Sequence, residues 1–386
     1  MTFEFRSAPS AEHALTHTTP AAGPPRSADA DDVVTAHDVE QGDRCVGHVH
    51  AARTDLTVPG EVRLATAAIT GIDVDETWRG RGVLTGMMQR LLTEAHARGQ
   101  VLATISSPHS SLHGRLGFGP ASDACAVEID AARARPVHRP ADGTLQVIPT
   151  SGALDVVVDV YERCARRRTG TLGRTAEHWK RRLAPPGNDG SATSEVVVHH
   201  DSTGRPVGYA HYDVAGSVGV VRDMWGEDPE IERALWGHLV TIDTVATWRS
   251  PRRPVGDPIR HALADLRAYR VERQVDELWV RILDVDVALG TRTYNSNTRT
   301  LTVRVTDPII SPNNGTWRVD SYGSFRSQGE PDIEIGIAEL SAVFLGGTSP
   351  RELADAGHLV ERRHGAVGDA HELLAERPNP FCGTDL

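Results

Sequence analysis

The sequence predicts a mixed α/β protein of the α+β class that is divided into more than one domain. Its 386 residues exceed what one core usually organises, because domains typically hold about 100 to 200 residues. Strand-like and helix-like runs follow one another in separate stretches of the chain, with turn-forming residues between them. Hydrophobic residues make up 39% and charged residues 24%, which is the composition of a folded, soluble protein.

The charge balance excludes several classes of partner. The chain has 41 Lys and Arg against 52 Asp and Glu, a formal net charge of −11, so phosphate backbones and anionic membranes would repel it. We therefore expect no nucleic-acid and no membrane partner. No run approaches the ~18 apolar residues of a membrane span, and residues 1–10 lack the order of a signal peptide, so we expect a cytoplasmic protein. In that compartment the four scattered cysteines should remain thiols.

The first third of the chain reads as an arm followed by strands and a helix. Residues 7–32 are rich in Ala, Pro, Ser, Thr and Asp without apolar periodicity, which predicts a mobile arm. Residues 44–54 and 61–74 have strand patterns on either side of the turn signal Val58-Pro59-Gly60. From Val83 onward, apolar residues recur at helical spacing.

The rest of the chain indicates two further domains. Residues 195–214 repeat the pattern of a strand, a turn and a Val-Gly-aromatic strand, which predicts a second copy of the first unit. From Glu277, strand patterns and a helix-like run at 333–347 predict a third domain of α+β type. The Pro-rich segments 136–149 and 251–258 are predicted joints.

The chemistry is concentrated where the strand at residues 61–74 passes into the helix. The turn between them reads Arg79-Gly80-Arg81-Gly82. A helix start presents unpaired N–H groups and the positive end of the dipole, glycines allow close approach, and arginines add charge. The run therefore predicts an anion site, although an isolated glycine turn with two solvated arginines would read the same. Its spacing fits neither GxxxxGK[ST] nor GxGxxG.

This turn resembles the acyl-CoA loop of GNAT-fold N-acetyltransferases. Residues 79–84 follow the R/Q-x-x-G-x-G/A pattern, with Leu84 in the last, normally small, place. The segment SSPHSSLHGRLGFGPAS (106–122) resembles the Ser-Glu-x-x-Ile-Tyr-Gly-Arg-Phe-Gly-Tyr-Gly segment of the Eis-like (enhanced intracellular survival) family. The ending NPFCGTDL resembles that family's Pro-Phe-Cys-Gly-Thr, and DPIISPNNGTWRV and AVFLGG resemble its third domain. On these matches the chain is identified as a member of that family.

The resemblance implies two tandem GNAT-fold domains, the second degenerate, followed by a sterol-carrier-protein-like domain that ends in the active site. The implied divisions are an arm at 1–32 and domains at 33–140, 141–280 and 281–386. The implied co-substrate is acetyl-CoA, without a metal. The implied acceptor is a primary amine of an aminoglycoside or a polyamine-like molecule, and the implied assembly is a homo-oligomer, a hexamer.

The resemblance also implies site residues. Strand residues Ile72, Asp73 and Val74 would pair with the pantetheine arm, and Pro108 and His109 would border the cofactor. The residues implied to hold the pyrophosphate are Arg79, Gly80, Arg81, Gly82, Val83, Leu84 and Thr85.

Two residues are implied to be catalytic. His113 occupies the place of the family's general-acid Tyr. A phenol with a pKa of about 10 is a suitable donor to a departing thiolate, whereas an imidazole with a pKa near 6.5 donates only when protonated or as a neutral N–H. His113 is therefore either catalytic or structural. The free carboxylate of Leu386 would take the amine proton, and burial would be needed to raise its pKa from about 3.5.

Two alternatives to an amine acetyltransferase remain. One is an enzyme of specialised metabolism that uses acyl-CoA or another thioester, with chemistry retuned by His113. The other is a non-catalytic scaffold that binds a ligand in its sterol-carrier-like domain. The glycine turn favours an enzyme, because a scaffold needs no anion site, whereas the changes at Pro108, His109 and His113 favour the alternatives.

Overall fold

The structure of the chain is a computed structural model, which describes residues 4–7, 33–41, 44–106, 114–134, 142–184, 192–295 and 298–385. It divides into two compact units. The first unit is Met1–Ser122 together with Asp276–Leu386, and the second unit is Asp123–Val275. No helix in these described ranges is long and apolar enough to cross a membrane.

Strands and helices alternate along both units. The strands are β1 (Glu4–Ser7), β2 (Val33–Gln41), β3 (Arg44–Val58), β4 (Val62–Val74), β5 (Leu102–Ile105), β6 (Gly119–Asp130), β7 (Thr144–Pro149), β8 (Thr193–His200), β9 (Pro206–Ala215), β10 (Val218–Gly226), β11 (Thr247–Pro254), β12 (Tyr269–Ile282), β13 (Thr300–Thr306), β14 (Gly315–Asp320), β15 (Gly323–Arg326), β16 (Ile333–Gly336) and β17 (Leu359–Glu361). The helices are α1 (Val83–Ala97), α2 (Leu154–Arg167), α3 (Ala176–Arg182), α4 (Pro229–Leu239), α5 (Val285–Thr291), α6 (Ile337–Phe344), α7 (Pro350–Asp355) and α8 (Ala366–Leu374).

The first unit contains two sheets. In one the strand order is β1-β2-β3-β4-β5-β12, with β5 parallel to β4 and antiparallel to β12. The apolar face of α1 covers this sheet, and its buried residues Met87, Met88, Leu91 and Leu92 share one core with the strands. The other sheet has the order β15-β14-β13-β16-β17, with α6 and α7 between β16 and β17 in sequence and α8 after β17. These are the mixed layers that the sequence predicts for the first and third domains.

The second unit repeats the arrangement of the first. Its strand order is β6-β11-β10-β9-β8-β7, and β10 is parallel to β11 with α4 between them in sequence, just as α1 lies between the parallel strands β4 and β5. This is the second copy that residues 195–214 predict. The chain passes from the first unit to the second within β6 and returns within β12.

Three local predictions differ from the structure: two predicted joints and one helix-like run. Of the predicted arm 1–32, which stays a prediction, only Glu4–Ser7 is described, and it pairs with β2. The predicted joint at 251–258 lies partly within β11, because Pro251 falls in a register shift between Ser250 and Arg253, where a strand tolerates a missing N–H. The predicted joint at 136–149 likewise includes β7, and the helix-like run at 333–347 begins with β16.

A buried ion pair connects distant segments of the first unit. The Arg281 and Asp307 side chains are both 0% exposed, and Nη2 of Arg281 donates to both carboxylate oxygens at 2.8 Å. Nε of Arg281 also donates to the Leu116 carbonyl at 3.0 Å. Asp307 in turn accepts from the backbone N–H groups of Ile309 and Ile310. Burial raises the pKa of Asp307, but the charge of Arg281 outweighs burial and holds that pKa below its usual value.

A second buried ion pair lies inside the second unit. Nη1 of Arg174 donates to Asp223 at 2.6 Å, and the guanidinium lies 3.7 Å above the Tyr161 ring. Asp223 also accepts from the Tyr209 hydroxyl at 2.6 Å and from Trp225 Nε1 at 2.9 Å. A fully satisfied network of this kind fixes one packing of its core.

We expect Asp307→Asn to lower the free energy of unfolding by about 3–5 kcal/mol, because Arg281 would stay buried without its counter-charge. Urea unfolding measures the change. The control is Glu94→Gln, since Glu94 pairs with Arg90 at 2.9 Å on the partly exposed face of α1 and should cost only about 0.5 kcal/mol. If both variants lost the same free energy of unfolding, the buried pair of Arg281 and Asp307 would matter no more to stability than an exposed one.

His178 should make the second unit less stable in acid. Burial, and then the charges of Arg174 and Arg182, lower the pKa of His178 to about 3. In the unfolded chain this imidazole takes up a proton near pH 6.5, whereas in the folded protein it does so only near pH 3. The contribution of His178 to the free energy of unfolding is therefore fully present above about pH 6.5 and is lost as the pH falls towards 3. Between pH 7.5 and 4.5, we expect the wild type to lose up to about 3 kcal/mol more than His178→Phe in urea unfolding. Equal losses would show that His178 does not carry the dependence.

Candidate active site

The predicted pantetheine strand separates from its neighbour at a bulge. β4 pairs with β5 only from Thr66 to Ile69, and the described residues give β4 no partner on that side beyond Ile69. A register shift against β3 leaves Thr70 without an opposite residue. Ile72, Asp73 and Val74 then pair with β3 alone. Among the described residues, this edge of β4 has no strand partner from Gly71 to Val74, as main-chain hydrogen bonds with a ligand would require.

A tight turn carries the chain from this edge to α1. The side chain of Asp75 accepts from the N–H of Thr77 at 2.9 Å and caps the short turn Glu76–Trp78. Gly80 and Gly82 follow with φ values of 75° and 85°. Those left-handed conformations strain any residue with a Cβ, which explains both glycines.

The start of α1 faces solvent. Gly82 is the N-cap of α1, so no side chain caps the first turn, and a Cβ at Gly80 or Gly82 would meet nothing within 4 Å. The first N–H groups of a helix lack partners within the helix and lie at the positive end of its dipole. Open space in front of such groups suits the close approach of an anion.

Two arginines border this start. The guanidinium of Arg81 lies 4.8 Å from the centre of the Trp78 ring, a contact that restricts its position. Arg79 lies 3.7 Å from Glu76, and both of those side chains are well exposed. Such a surface pair is weak, so Arg79 keeps most of its freedom to contact an anion.

Close packing fixes α1 against the sheet. A Cβ at Gly47 on β3 would lie 3.2 Å from both Val83 and Met87. Val83 therefore serves the core, whereas Leu84 is half-buried and Thr85 is exposed. The structure thus brings Ile72–Val74 and residues 79–85 together at one end of the first sheet. Pro108, His109, His113 and Leu386 lie outside the described residues.

The segment that follows His113 is held by the C-terminal part of the first unit. Gly117 has a φ of 85°, and a Cβ there would lie 2.5 Å from Nε of Arg281. A Cβ at Gly119 would collide with the backbone of α6 at Ala338 and Ala342. Gly117 and Gly119 of Gly-Arg-Leu-Gly-Phe-Gly are therefore packing residues, unlike Gly80 and Gly82.

The C-terminal tail is anchored by a residue that the sequence analysis missed. The carboxylate of Glu277 accepts from the N–H groups of Cys382 and Gly383, each at 2.9 Å. Glu277 is 6% exposed and Cys382 is 0% exposed. The only sequence signal was a Glu directly before the apolar run of β12, which is too common to single out.

The same junction in the second unit is built differently. Between β10 and α4 the chain has Asp228 and Pro229 in place of a glycine turn. The carboxylate of Asp228 accepts from the N–H groups of Glu230 and Ile231 at 2.8 and 3.0 Å. The protein's own anion therefore occupies this helix start, and Glu230 adds further negative charge, whereas Glu232 pairs with Arg253 at 2.6 Å.

The described residues contain no group of three or more His, Cys, Asp or Glu side chains that could hold a metal ion. The four candidate residues 108, 109, 113 and 386 were not part of that set, so a metal-free mechanism remains a prediction.

Comparison with protein families gives three matches in chain order. Residues 15–121 and residues 170–282 each match an acetyltransferase (GNAT) domain. Residues 285–383 match a sterol carrier protein domain. The predicted fold, two GNAT domains followed by a sterol-carrier-like domain, is confirmed; the boundaries predicted at 32, 140 and 280 remain predictions.

Individual relatives span nearly the whole chain. An uncharacterized N-acetyltransferase of Streptomyces coelicolor is 33% identical over 347 residues, which cover 86% of this chain and 83% of that protein. N-acetyltransferase Eis of Mycobacterium tuberculosis is 28% identical over 345 residues, covering 85% and 82%. The crystal structure of Eis1 from Mycobacterium abscessus matches with a TM-score of 0.83 at 29% identity, covering 91% of this chain and 90% of that one.

Proposed function

Because the chain belongs to the Eis-like GNAT N-acetyltransferases, we propose that it moves an acetyl group from acetyl-CoA to a primary amine of an aminoglycoside or polyamine-like acceptor. The observation that carries the proposal is the pair of left-handed glycines at the open start of α1, directly beyond the part of β4 that no other described strand pairs on its β5 side.

The chain's own groups would bind acetyl-CoA at two places. The N–H groups at the start of α1, from Val83 to Thr85, would hold the pyrophosphate, and Arg79 and Arg81 would add positive charge. The edge of β4 at Ile72–Val74 would pair with the pantetheine arm as a neighbouring strand does. A strand N–H at the splay would stabilise the developing oxyanion.

The reaction we propose is direct transfer. The amine nitrogen attacks the thioester carbonyl carbon, so a C–N bond forms while the C–S bond breaks and CoA leaves as a thiolate. The proton lost by the amine would go to the carboxylate of Leu386, and His113 would protonate the thiolate. Most of the acceleration would come from positioning and oxyanion stabilisation.

The second unit would not bind a second acetyl-CoA. Asp228 satisfies the N–H groups that a pyrophosphate would need, and the acidic first turn of α4 would repel it. We therefore propose that this GNAT domain is degenerate and serves as a scaffold.

The remaining parts of the proposal follow from charge and family likeness. A net charge of −11 favours the approach of a cationic amine. We also propose a cytoplasmic location and a homo-oligomer, a hexamer, as the family resemblance implies. A second candidate, a thioester-using enzyme of specialised metabolism, is favoured by His113 in place of Tyr.

Gly82→Leu should weaken acetyl-CoA binding by at least about tenfold, because the added side chain would stand in front of the helix start. Gly99→Leu is the matched control: Gly99 lies just beyond the other end of α1, has a φ of 78° and has the same open space. Isothermal titration with acetyl-CoA measures both. Normal affinity in Gly82→Leu would overturn the assignment.

Deleting Leu386 should lower turnover by about 10²- to 10⁴-fold, because the proposed base is displaced, while acetyl-CoA affinity changes less than about twofold. Leu386→Ala is the matched control, since it keeps a terminal carboxylate at the same position. Thiol release from acetyl-CoA is followed with aminoglycosides, polyamines and arylalkylamines.

The acceptor panel separates the candidates. Release with polycationic amines that is lost on deletion supports the proposed reaction. No release with any amine, despite tight acetyl-CoA binding, would favour the thioester-using alternative. No thermal stabilisation by acetyl-CoA would favour the non-catalytic scaffold.

A further inference from the structure

We propose that Glu277 is a positioning residue that anchors the C-terminal tail through Cys382 and Gly383 and thereby positions the proposed base at the end of the chain, an inference that rests on the proposed function. Neither the composition of the tail nor any motif in it points to Glu277. The proposal comes from where β12 places this side chain and from what its carboxylate holds.

The carboxylate holds the tail in one orientation. Oε2 accepts from the N–H of Cys382 and Oε1 from the N–H of Gly383, each at 2.9 Å. Because two oxygens accept from two consecutive N–H groups, both the distance of the tail from Glu277 and the direction of its main chain are fixed. Ser122 Oγ lies 3.5 Å from Oε2 and supports it. Hydrogen bonds to a carboxylate are about twice as strong as neutral ones, so this anchor is firm.

The anchor leaves the last residues little range. Gly383 lies three residues before Leu386, and three residues span at most about 11 Å. The φ of Gly383 is 62°, a left-handed bend that turns the chain directly after the anchored N–H group. Phe381, Cys382 and Thr384 are all buried, which restricts the tail further.

Strand register places the anchor at the proposed active-site edge. Trp279 of β12 is opposite Ile105, the last residue of β5, and β12 runs antiparallel to β5. Glu277 therefore lies two residues beyond the end of β5. Ile69 of β4 is also opposite Ile105, and β4 runs parallel to β5. Two residues further along β4, Gly71 is therefore level with Glu277, just after β4 has stopped pairing with β5.

A buried carboxylate is costly unless both of its oxygens have hydrogen-bond partners, and here each oxygen accepts from a main-chain N–H group of the tail. Two charge-assisted bonds to the main chain are suited to holding a chain end whose position matters. A misplacement of about 1 Å can cost a reaction about 100-fold.

The test compares Glu277→Gln with Glu361→Gln. The first variant keeps the size of the side chain but removes its charge and one acceptor. The control makes the same change on β17, where Glu361 is exposed and accepts from the N–H of Val367 at 3.0 Å. For Glu277→Gln we expect kcat to fall about 10- to 100-fold with the KM for acetyl-CoA within about twofold. The control should match the wild type.

A second readout does not depend on activity. Carboxypeptidase should release the C-terminal residues of Glu277→Gln faster than those of the wild type and of the control, and hydrogen exchange at Cys382 and Gly383 should speed up. If Glu277→Gln fails to fold, Glu277→Asp keeps the charge on a shorter side chain and should show the same pattern more weakly.

The outcomes are distinct. Three results for Glu277→Gln would each overturn the proposal. The tail could stay protected from carboxypeptidase, or kcat could stay unchanged although the tail is released. The KM for acetyl-CoA could also rise by as much as kcat falls. If the wild type shows no turnover with any amine, the proposed function fails, while the carboxypeptidase result still reports separately on the anchor.

Discussion

The first unit depends on the buried ion pair between Arg281 and Asp307. Its guanidinium also bonds the Leu116 carbonyl, and its carboxylate also bonds the N–H groups at the start of the segment 309–313. One pair therefore joins β12, the segment after His113 and the sterol-carrier-like part of the chain. Removing two charges from water is expensive unless every remaining hydrogen-bonding group finds a partner, and these contacts supply the partners. The arrangement makes the C-terminal part a structural component of the first GNAT domain, and explains why the chain returns to that domain through β12.

Glycines in the two motif segments serve opposite purposes. At Gly117 and Gly119 a Cβ would collide with Arg281 and with the backbone of α6, so glycine permits close packing within the protein. At Gly80 and Gly82 a Cβ would meet only open space, so the positive φ requires glycine and the space in front stays available. The two sets read alike in the sequence. Only the structure separates the glycines that are needed for packing from those that leave open space in front of a helix start.

Patterns within a few neighbouring residues predicted much of the fold, but they could not predict contacts between residues that are far apart in the sequence. The turn at Val58-Pro59-Gly60, the start of α1 at the glycines and the repeated unit after residue 193 follow from patterns within a few residues. The motifs also placed Ile72–Val74 and residues 79–85 in one region. Glu277 accepts hydrogen bonds from residues more than 100 positions away in the sequence. Asp223 pairs with Arg174, which is 49 positions away. No local pattern could reveal either contact. Pro251 misled because its strand has a bulge at that point.

The two strand–turn–helix junctions show how one architecture reaches two outcomes. Both place a helix between parallel strands, so both present unpaired N–H groups at the helix start. In the second unit Asp228 satisfies those groups with its own carboxylate, which stabilises α4 without any ligand. In the first unit Gly82 offers no cap, so α1 forgoes that stabilisation and relies on the packing of Val83 and Met87 against Gly47. A helix start left uncapped in one copy and capped in the other is what the proposed function requires, in which the first GNAT domain binds acetyl-CoA and the second supports it.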